Sequence, residues 1–141
     1  MLTLNNSTTG ALRGLESLCH LASTQSIPLP LTLRDAPRFP YRSLMVDAAR
    51  HFLPVDKLKR MIDGMSTTKL NMLHVHLSDI EAFPVHSESV PALNKGAYGG
   101  GKHPELIYSH ADIAELVRHG QMRGVRIMVH QDQSCSHEFL K

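Results

Sequence analysis

The chain has 141 residues, 42% of them hydrophobic and 20% charged, with a formal net charge of +2. That length bounds it to one main domain, and so slight and scattered a positive charge argues against a nucleic-acid binder. No run is long and apolar enough to span a bilayer, and the opening MLTLNNSTTG lacks the basic flank and apolar core of a signal peptide.

In chain order, Gly10–Ala22 spaces Leu12, Leu15, Leu18, Cys19 and Ala22 as one helical face, with Thr8 or Thr9 to cap it. Ser26–Pro40 carries Pro28, Pro30, Pro37 and Pro40, which forbid a helix; Leu29, Leu31 and Leu33 alternate with Pro30, Thr32 and Arg34. The expectation is a short edge strand and then a linker, with a boundary near Ala36–Pro40. Leu44–Asp47 is a short apolar strand, and Ala48–Leu53 is its loop, bearing Arg50 and His51. Pro54 suits a first helical turn, with Asp56 near the positive end of the helix dipole. Leu58, Met61, Ile62 and Met65 then follow at i, i+3, i+4 and i+7, an amphipathic helix.

Met72–Leu77 is the central strand. Met72, His74 and His76 alternate with Leu73, Val75 and Leu77, and Ser78-Asp79 delivers a carboxylate at its end. Asp79–Tyr108 is a long connection punctuated by Pro84, Pro91 and Gly99-Gly100-Gly101, with one helical turn expected around Pro91–Asn94. Long connections inside compact domains are often functional. Ser109 and Asp112 have capping-box spacing, Ile113, Leu116 and Val117 give the next helix a buried stripe, and Gly124 is its C-cap. Val125–Val129 is the third strand.

Strand–helix–strand–helix–strand calls for a parallel sheet with right-handed crossovers. Three strands complete no eight-stranded barrel, so the fold is either a small flavodoxin-like unit or the start of a (β/α)8 barrel. Cys19 and Cys135 form no disulfide framework and no zinc spacing; reduced thiols or a single bridge both remain open. His74 and His76 share a face at i and i+2. That permits a metal site, but no third ligand is apparent, and a pair packed into a barrel interior is the competing account.

The segment PRFPYRSLMVDAARHFLPVDKLKRMIDGMSTTKLNMLHVHLSD resembles the opening of the catalytic barrel of the β-N-acetylhexosaminidases, glycoside hydrolase family 20. The family pattern runs close to P-R-F-P-x-R-G-L-x-L-D-T-x-R-H-F-x-P and then K-x-N-x-x-H-W-H-L-x-D. The likeness continues through Ala82-Phe83-Pro84, Pro91-Ala92-Leu93, Lys95-Gly96-Ala97-Tyr98, the capped helix and Arg123-Gly124-Val125-Arg126. It implies an α/β fold: an incomplete (β/α)8 TIM-type barrel, its first three strand–helix units, preceded by the end of a small α/β domain. Residues 1–36 would end that small domain, in which GALRGLESL resembles the last helix. Residues 37–141 would be the amino-terminal part of the barrel.

The resemblance implies hydrolysis of terminal N-acetylglucosamine or N-acetylgalactosamine from glycans, by a retaining mechanism in which the sugar's own N-acetyl oxygen is the nucleophile. An adjacent Asp-Glu pair serves that mechanism, and no Asp-Glu dipeptide occurs in these 141 residues. The chain alone is therefore expected to be inactive. Arg50 matches the arginine that holds the sugar hydroxyls; an ordinary salt bridge is the structural alternative. Asp47 and His51 match positions that brace the same loop. Asp79 matches the aspartate that, with a histidine after the third strand, supports the catalytic Glu; His137 is the candidate for that histidine. No metal or cofactor is implied. Family members are often lysosomal, secreted or periplasmic, and nothing in the sequence fixes the compartment.

The departures are local. Val75 replaces the Trp between the histidines, and Ile80 replaces an acidic or polar residue. After the third strand the family pattern is P-E-x-D-x-P-G-H, whereas this chain reads Val129-His130-Gln131-Asp132-Gln133-Ser134-Cys135-Ser136-His137. Asp132 keeps its place, Ser136 falls where the histidine belongs, and His137 is one residue late. The expectation is a truncated copy or a departure from the family frame near residue 130. Two other classes remain: a non-catalytic binding or interaction module that self-associates through open sheet edges, and a small metal protein built on His74 and His76.

Overall fold

The computed structural model describes residues 7–24, 30–79, 82–98 and 102–131. The chain divides into two compact units, Met1–Pro40 and Tyr41–Lys141.

The first unit contains helix α1, Thr8–Thr24. Its cap is Ser7, one residue earlier than the sequence suggested: the Gly10 amide donates to Ser7 Oγ at 3.0 Å, so Thr8 and Thr9 are already helical. Ser17 Oγ donates to Asp35 Oδ2 at 2.6 Å and ties the helix to the segment behind it. The edge strand expected there does not form over residues 30–40, and Leu31 and Leu33 are exposed. Pro30, Pro37 and Pro40 carry no amide hydrogen to donate to a ladder, and no strand pairs with this segment among the described residues. Leu29, where that alternation begins, lies outside the described residues.

The second unit runs β1 (Ser43–Asp47), α2 (Val55–Thr67), β2 (Met72–Ser78), α3 (His110–Arg123) and β3 (Arg126–Gln131), with 3-10 turns at Pro91–Gly96 and Pro104–Leu106. This is the expected strand–helix alternation. The strands form one parallel sheet in the order β1-β2-β3, with Met45 paired to His74 and His74 to Met128, and Asp47 paired to His76 and His76 to His130. Parallel neighbours in register share a face, so the alternation of β2 sorts the whole sheet. Leu73, Val75 and Leu77 are at most 1% exposed and pack with Leu58, Ile62, Met65, Leu116 and Val125 beneath the two helices. Met45, Met72, His74, His76, Met128 and His130 lie on the opposite face, away from α2 and α3.

Local chemistry explains the element ends. Pro54 stands just before α2, with extended ψ 144°, not inside the first turn; its fixed φ of −53° still leads into the helix, and Asp56 sits in the first turn. Ser109 and Asp112 close the full capping box of α3, and Gly124 ends it in the left-handed region at φ 67°. β3 starts at Arg126 because the Val125 amide donates back to the Gly120 carbonyl at 2.9 Å. Gly120 is required here: a Cβ on it would lie 2.6 Å from the Val125 carbonyl oxygen. Asn71 joins the starts of all three strands. It accepts from the Arg42 amide through Oδ1 and from the Arg126 amide through its carbonyl, both at 2.9 Å.

The long connection is fastened by Tyr108, which is 1% exposed. Its hydroxyl donates to the Leu53 carbonyl at 2.5 Å and accepts from the Leu53 amide at 3.1 Å, and its ring lies 4.6 Å from that of Phe52. Burial pushes the phenol up to about 12. Val85 bridges to Tyr108, and Asn94 Nδ2 donates to the Val85 carbonyl at 2.7 Å, so the ends of this connection and its 3-10 turn are held together.

Candidate functional site

The site lies where β1 and β2 end, the carboxyl edge of a parallel sheet and the edge that carries chemistry in such folds. Asp47 closes β1. Its Oδ1 accepts from the Ala49 amide at 3.0 Å and the Arg50 amide at 3.2 Å, so the side chain turns the chain sharply and projects Arg50 back over the sheet end. Asp79, just past β2, is 5% exposed. Its Oδ1 accepts from the Ala82 amide at 2.9 Å, while its Oδ2 accepts from Arg50 Nε at 2.6 Å. The Arg50 side chain is 60% exposed, while the carboxylate that holds its Nε is buried.

This joins two residues that the sequence singled out for different roles. Arg50 was matched to a sugar-holding group and Asp79 to a support for a distant acid, yet the two bind each other. A charge-assisted contact of this length fixes the direction of a long side chain that would otherwise sample many rotamers. His51 is exposed on the same turn. His137 and Asp132 lie outside the described residues.

His76 Nε2 lies 3.9 Å from Asp79 Oδ2, which brings β2's open face into the site. His130 joins from β3, its ring centroid 5.1 Å from that of His76 and 5.4 Å from that of His74. His74 Nε2 is buried and has no hydrogen-bond partner among the described residues. Nothing local marked His130 as a neighbour of His76, its register partner 54 positions earlier; only strand pairing could have shown it.

A second polar cluster holds the two helices together. Asp63 on α2 accepts from His119 Nε2 and Arg123 Nε on α3, both at 2.9 Å, and Lys59 pairs with Glu115. The His119 contact, then that of Arg123, holds the Asp63 carboxyl below its ordinary range. These pairs bridge neighbouring helices and have a structural reading.

The model of glycosyl hydrolase family 20, catalytic domain, matches residues 39–137. Beta-hexosaminidase 1 of Arabidopsis thaliana is 40% identical over 134 residues, covering 90% of this chain and 24% of the relative. Among solved structures, the Flavobacterium johnsoniae chitobiase superposes with a TM-score of 0.64 at 33% identity, over 85% of this chain and 18% of that one. The GH20 exo β-N-acetylglucosaminidase of Vibrio harveyi in complex with N-acetylglucosamine gives a TM-score of 0.60 at 33% identity, over 67% of this chain and 17% of that one. The chain thus spans about a quarter or less of the proteins it matches. Its three parallel strand units correspond to part of a TIM-type barrel. By sequence and by fold, the chain belongs to glycosyl hydrolase family 20.

Proposed function

We propose that this chain supplies the first three strand–helix units of a β-N-acetylhexosaminidase barrel, and that Arg50 binds the hydroxyls of a terminal N-acetylhexosamine on a glycan. The observation that carries this is the Arg50–Asp79 pair at the carboxyl ends of β1 and β2. A guanidinium offers several donors in fixed geometry, which suits vicinal hydroxyls, and Asp79 pre-orders it before sugar arrives. Asp47 and His51 support the turn. Residues 1–36 fit as the end of a preceding small α/β domain and residues 37–141 as the barrel part.

Hydrolysis needs more than these residues provide. The retaining, substrate-assisted reaction uses an Asp to orient the N-acetyl group and a Glu to protonate the leaving oxygen, and the 141 residues contain no Asp-Glu dipeptide. General acid catalysis contributes about a hundred- to ten-thousand-fold. Taken alone, then, the chain should release no chromophore from an aryl N-acetylglucosaminide. Turnover at rates of order 1–1000 per second would overturn this reading. When the chain is joined to the carboxyl-terminal barrel portion of a relative, activity should appear, and Arg50→Ala should then cost about 2 kcal/mol in kcat/KM, as for a lost charge-assisted hydrogen bond. Unchanged kinetics would assign Arg50 to structure.

The open sheet favours one further reading of the isolated chain: self-association. Among the described residues of the second unit, β1 and β3 are the end strands of the three-stranded order, and Met45 and Val129 are 61% and 40% exposed. Unpaired edges beside exposed apolar side chains are templates for another copy.

A further inference from the structure

We propose that Tyr108 is a positioning residue for sugar binding: it locks together the two loops whose side chains, Arg50 and Asp79, form the ion pair of the site. The inference rests on the reading of Arg50 as the ligand of the sugar hydroxyls. Arg50 stands on the loop after β1, and Asp79 opens the connection after β2. Their contact at 2.6 Å is only as fixed as the two stretches of backbone that carry them.

Both stretches run to Tyr108. On the β1 side, its hydroxyl donates to the Leu53 carbonyl at 2.5 Å and accepts from the Leu53 amide at 3.1 Å, on the same short loop as Arg50. On the β2 side, the Asp79 carboxylate accepts from the Ala82 amide at 2.9 Å, and the Asp79 amide donates to the Ala82 carbonyl at 3.1 Å. The chain then reaches Pro84, whose carbonyl accepts from the Tyr108 amide at 2.7 Å, and His86, whose amide donates to the Tyr108 carbonyl at 2.9 Å. The contacts therefore close a ring. It runs from Arg50 to Asp79 and Ala82, through Pro84 to Tyr108, and through Leu53 back to Arg50.

Tyr108 suits this place. It is 1% exposed and its ring lies 4.6 Å from that of Phe52, so packing fixes the direction of the hydroxyl. Burial holds the phenol up at about 12, so at neutral pH it keeps the proton that it donates to Leu53. Being buried, Tyr108 acts on the sugar through Arg50. Positioning of this kind matters because misplacing a binding group by about 1 Å can cost on the order of a hundredfold in rate. Phenylalanine at 108 would keep the ring and its packing and lose only the hydroxyl, with both bonds to Leu53.

A double-mutant cycle in the chain joined to the carboxyl-terminal barrel portion of a relative tests the proposal. Tyr108→Phe should lower kcat/KM for an aryl N-acetylglucosaminide about tenfold, mostly through KM. In the Arg50→Ala background the same change should cost no more than about twofold, because the group it positions is gone. Leu116→Ala, which empties the core away from the ring, should leave kcat/KM of the folded protein within about twofold of the wild type. In the 141-residue chain, hydrogen exchange needs no turnover: in Tyr108→Phe the amides of Arg50 and Ala82, held by Asp47 and Asp79, should quicken more than those of Leu73 and Val75 in β2. Circular dichroism reports whether each variant folds. If Tyr108→Phe does not, Asn94→Ala decides, since it removes the Nδ2 contact to the Val85 carbonyl on the same ring and should show the same coupling to Arg50. A silent Tyr108→Phe beside an impaired Arg50→Ala, losses that multiply independently, or exchange that quickens equally everywhere or nowhere would overturn the positioning role and leave the reading of Arg50 standing. A silent Arg50→Ala would overturn both.

Discussion

The two faces of the same sheet have had different fates. On one, Leu73, Val75 and Leu77 are at most 1% exposed, sealed by Leu58, Ile62 and Met65 of α2 and by Leu116 of α3. On the other, away from α2 and α3, Met45 is 61% exposed, and His74, His76 and His130 meet one another. Both faces come from the same strands through simple alternation, so local propensity does not separate them. The difference lies in what each face is packed against. The helix-covered face is a finished core, whereas the other carries large apolar and imidazole side chains suited to a barrel interior.

That contrast can be broken by substitution. The largest effect should come from the sealed face: Leu73→Ala should lower stability by about 2–5 kcal/mol, the range for emptying a packed core position. Met45→Ala, on the open face, should change it by no more than about 0.5 kcal/mol. Urea midpoints at one fixed chain concentration measure both, and equal losses would erase the distinction between the faces. A smaller test concerns how closely α3 approaches the sheet. In Gly120→Ala the new Cβ would meet the Val125 carbonyl oxygen at 2.6 Å and Ile127 Cδ1 at 3.1 Å, so a loss of about 1–3 kcal/mol is expected. Gly64 in α2 has nothing within 4 Å of that position. There Gly64→Ala should raise stability by about 0.4–1 kcal/mol, through helix propensity and a less free unfolded chain. A gain in the first or a loss in the second, read from the same midpoints, would mean that α3 or α2 sits differently on the sheet.

Much of this architecture was legible because it is local. The i, i+3, i+4, i+7 stripe from Leu58 to Met65, the Ser109–Asp112 box and the Gly124 cap each lie within a few residues, and each forms as its spacing indicates. The misses have physical causes. Leu31 and Leu33 alternate with Thr32 and Arg34 like a strand, but alternation is only a potential to pair, and the prolines remove donors. The cap of α1 fell to Ser7 because three adjacent hydroxyl residues compete for one position. At the site, Arg50 and Asp79 were each visible as residues at strand ends, yet their bond spans 29 positions and depends on β1 lying beside β2. Asn71, Tyr108 and His130 were hidden for the same reason: their partners lie across the fold. Asn71 follows a helix end without an apolar pattern to mark it, and Tyr108 looks in sequence like any residue closing a long loop.

The open face and the two end strands of the described sheet are, as we propose, those of a larger barrel. Size-exclusion chromatography of the 141-residue chain over a range of concentrations, followed by thermal unfolding of each fraction, tests it most directly. Self-association that grows with concentration is expected, with unfolding that is broad or concentration-dependent. A monodisperse monomer with one sharp, concentration-independent transition would contradict it, because the sheet would then be complete as it stands.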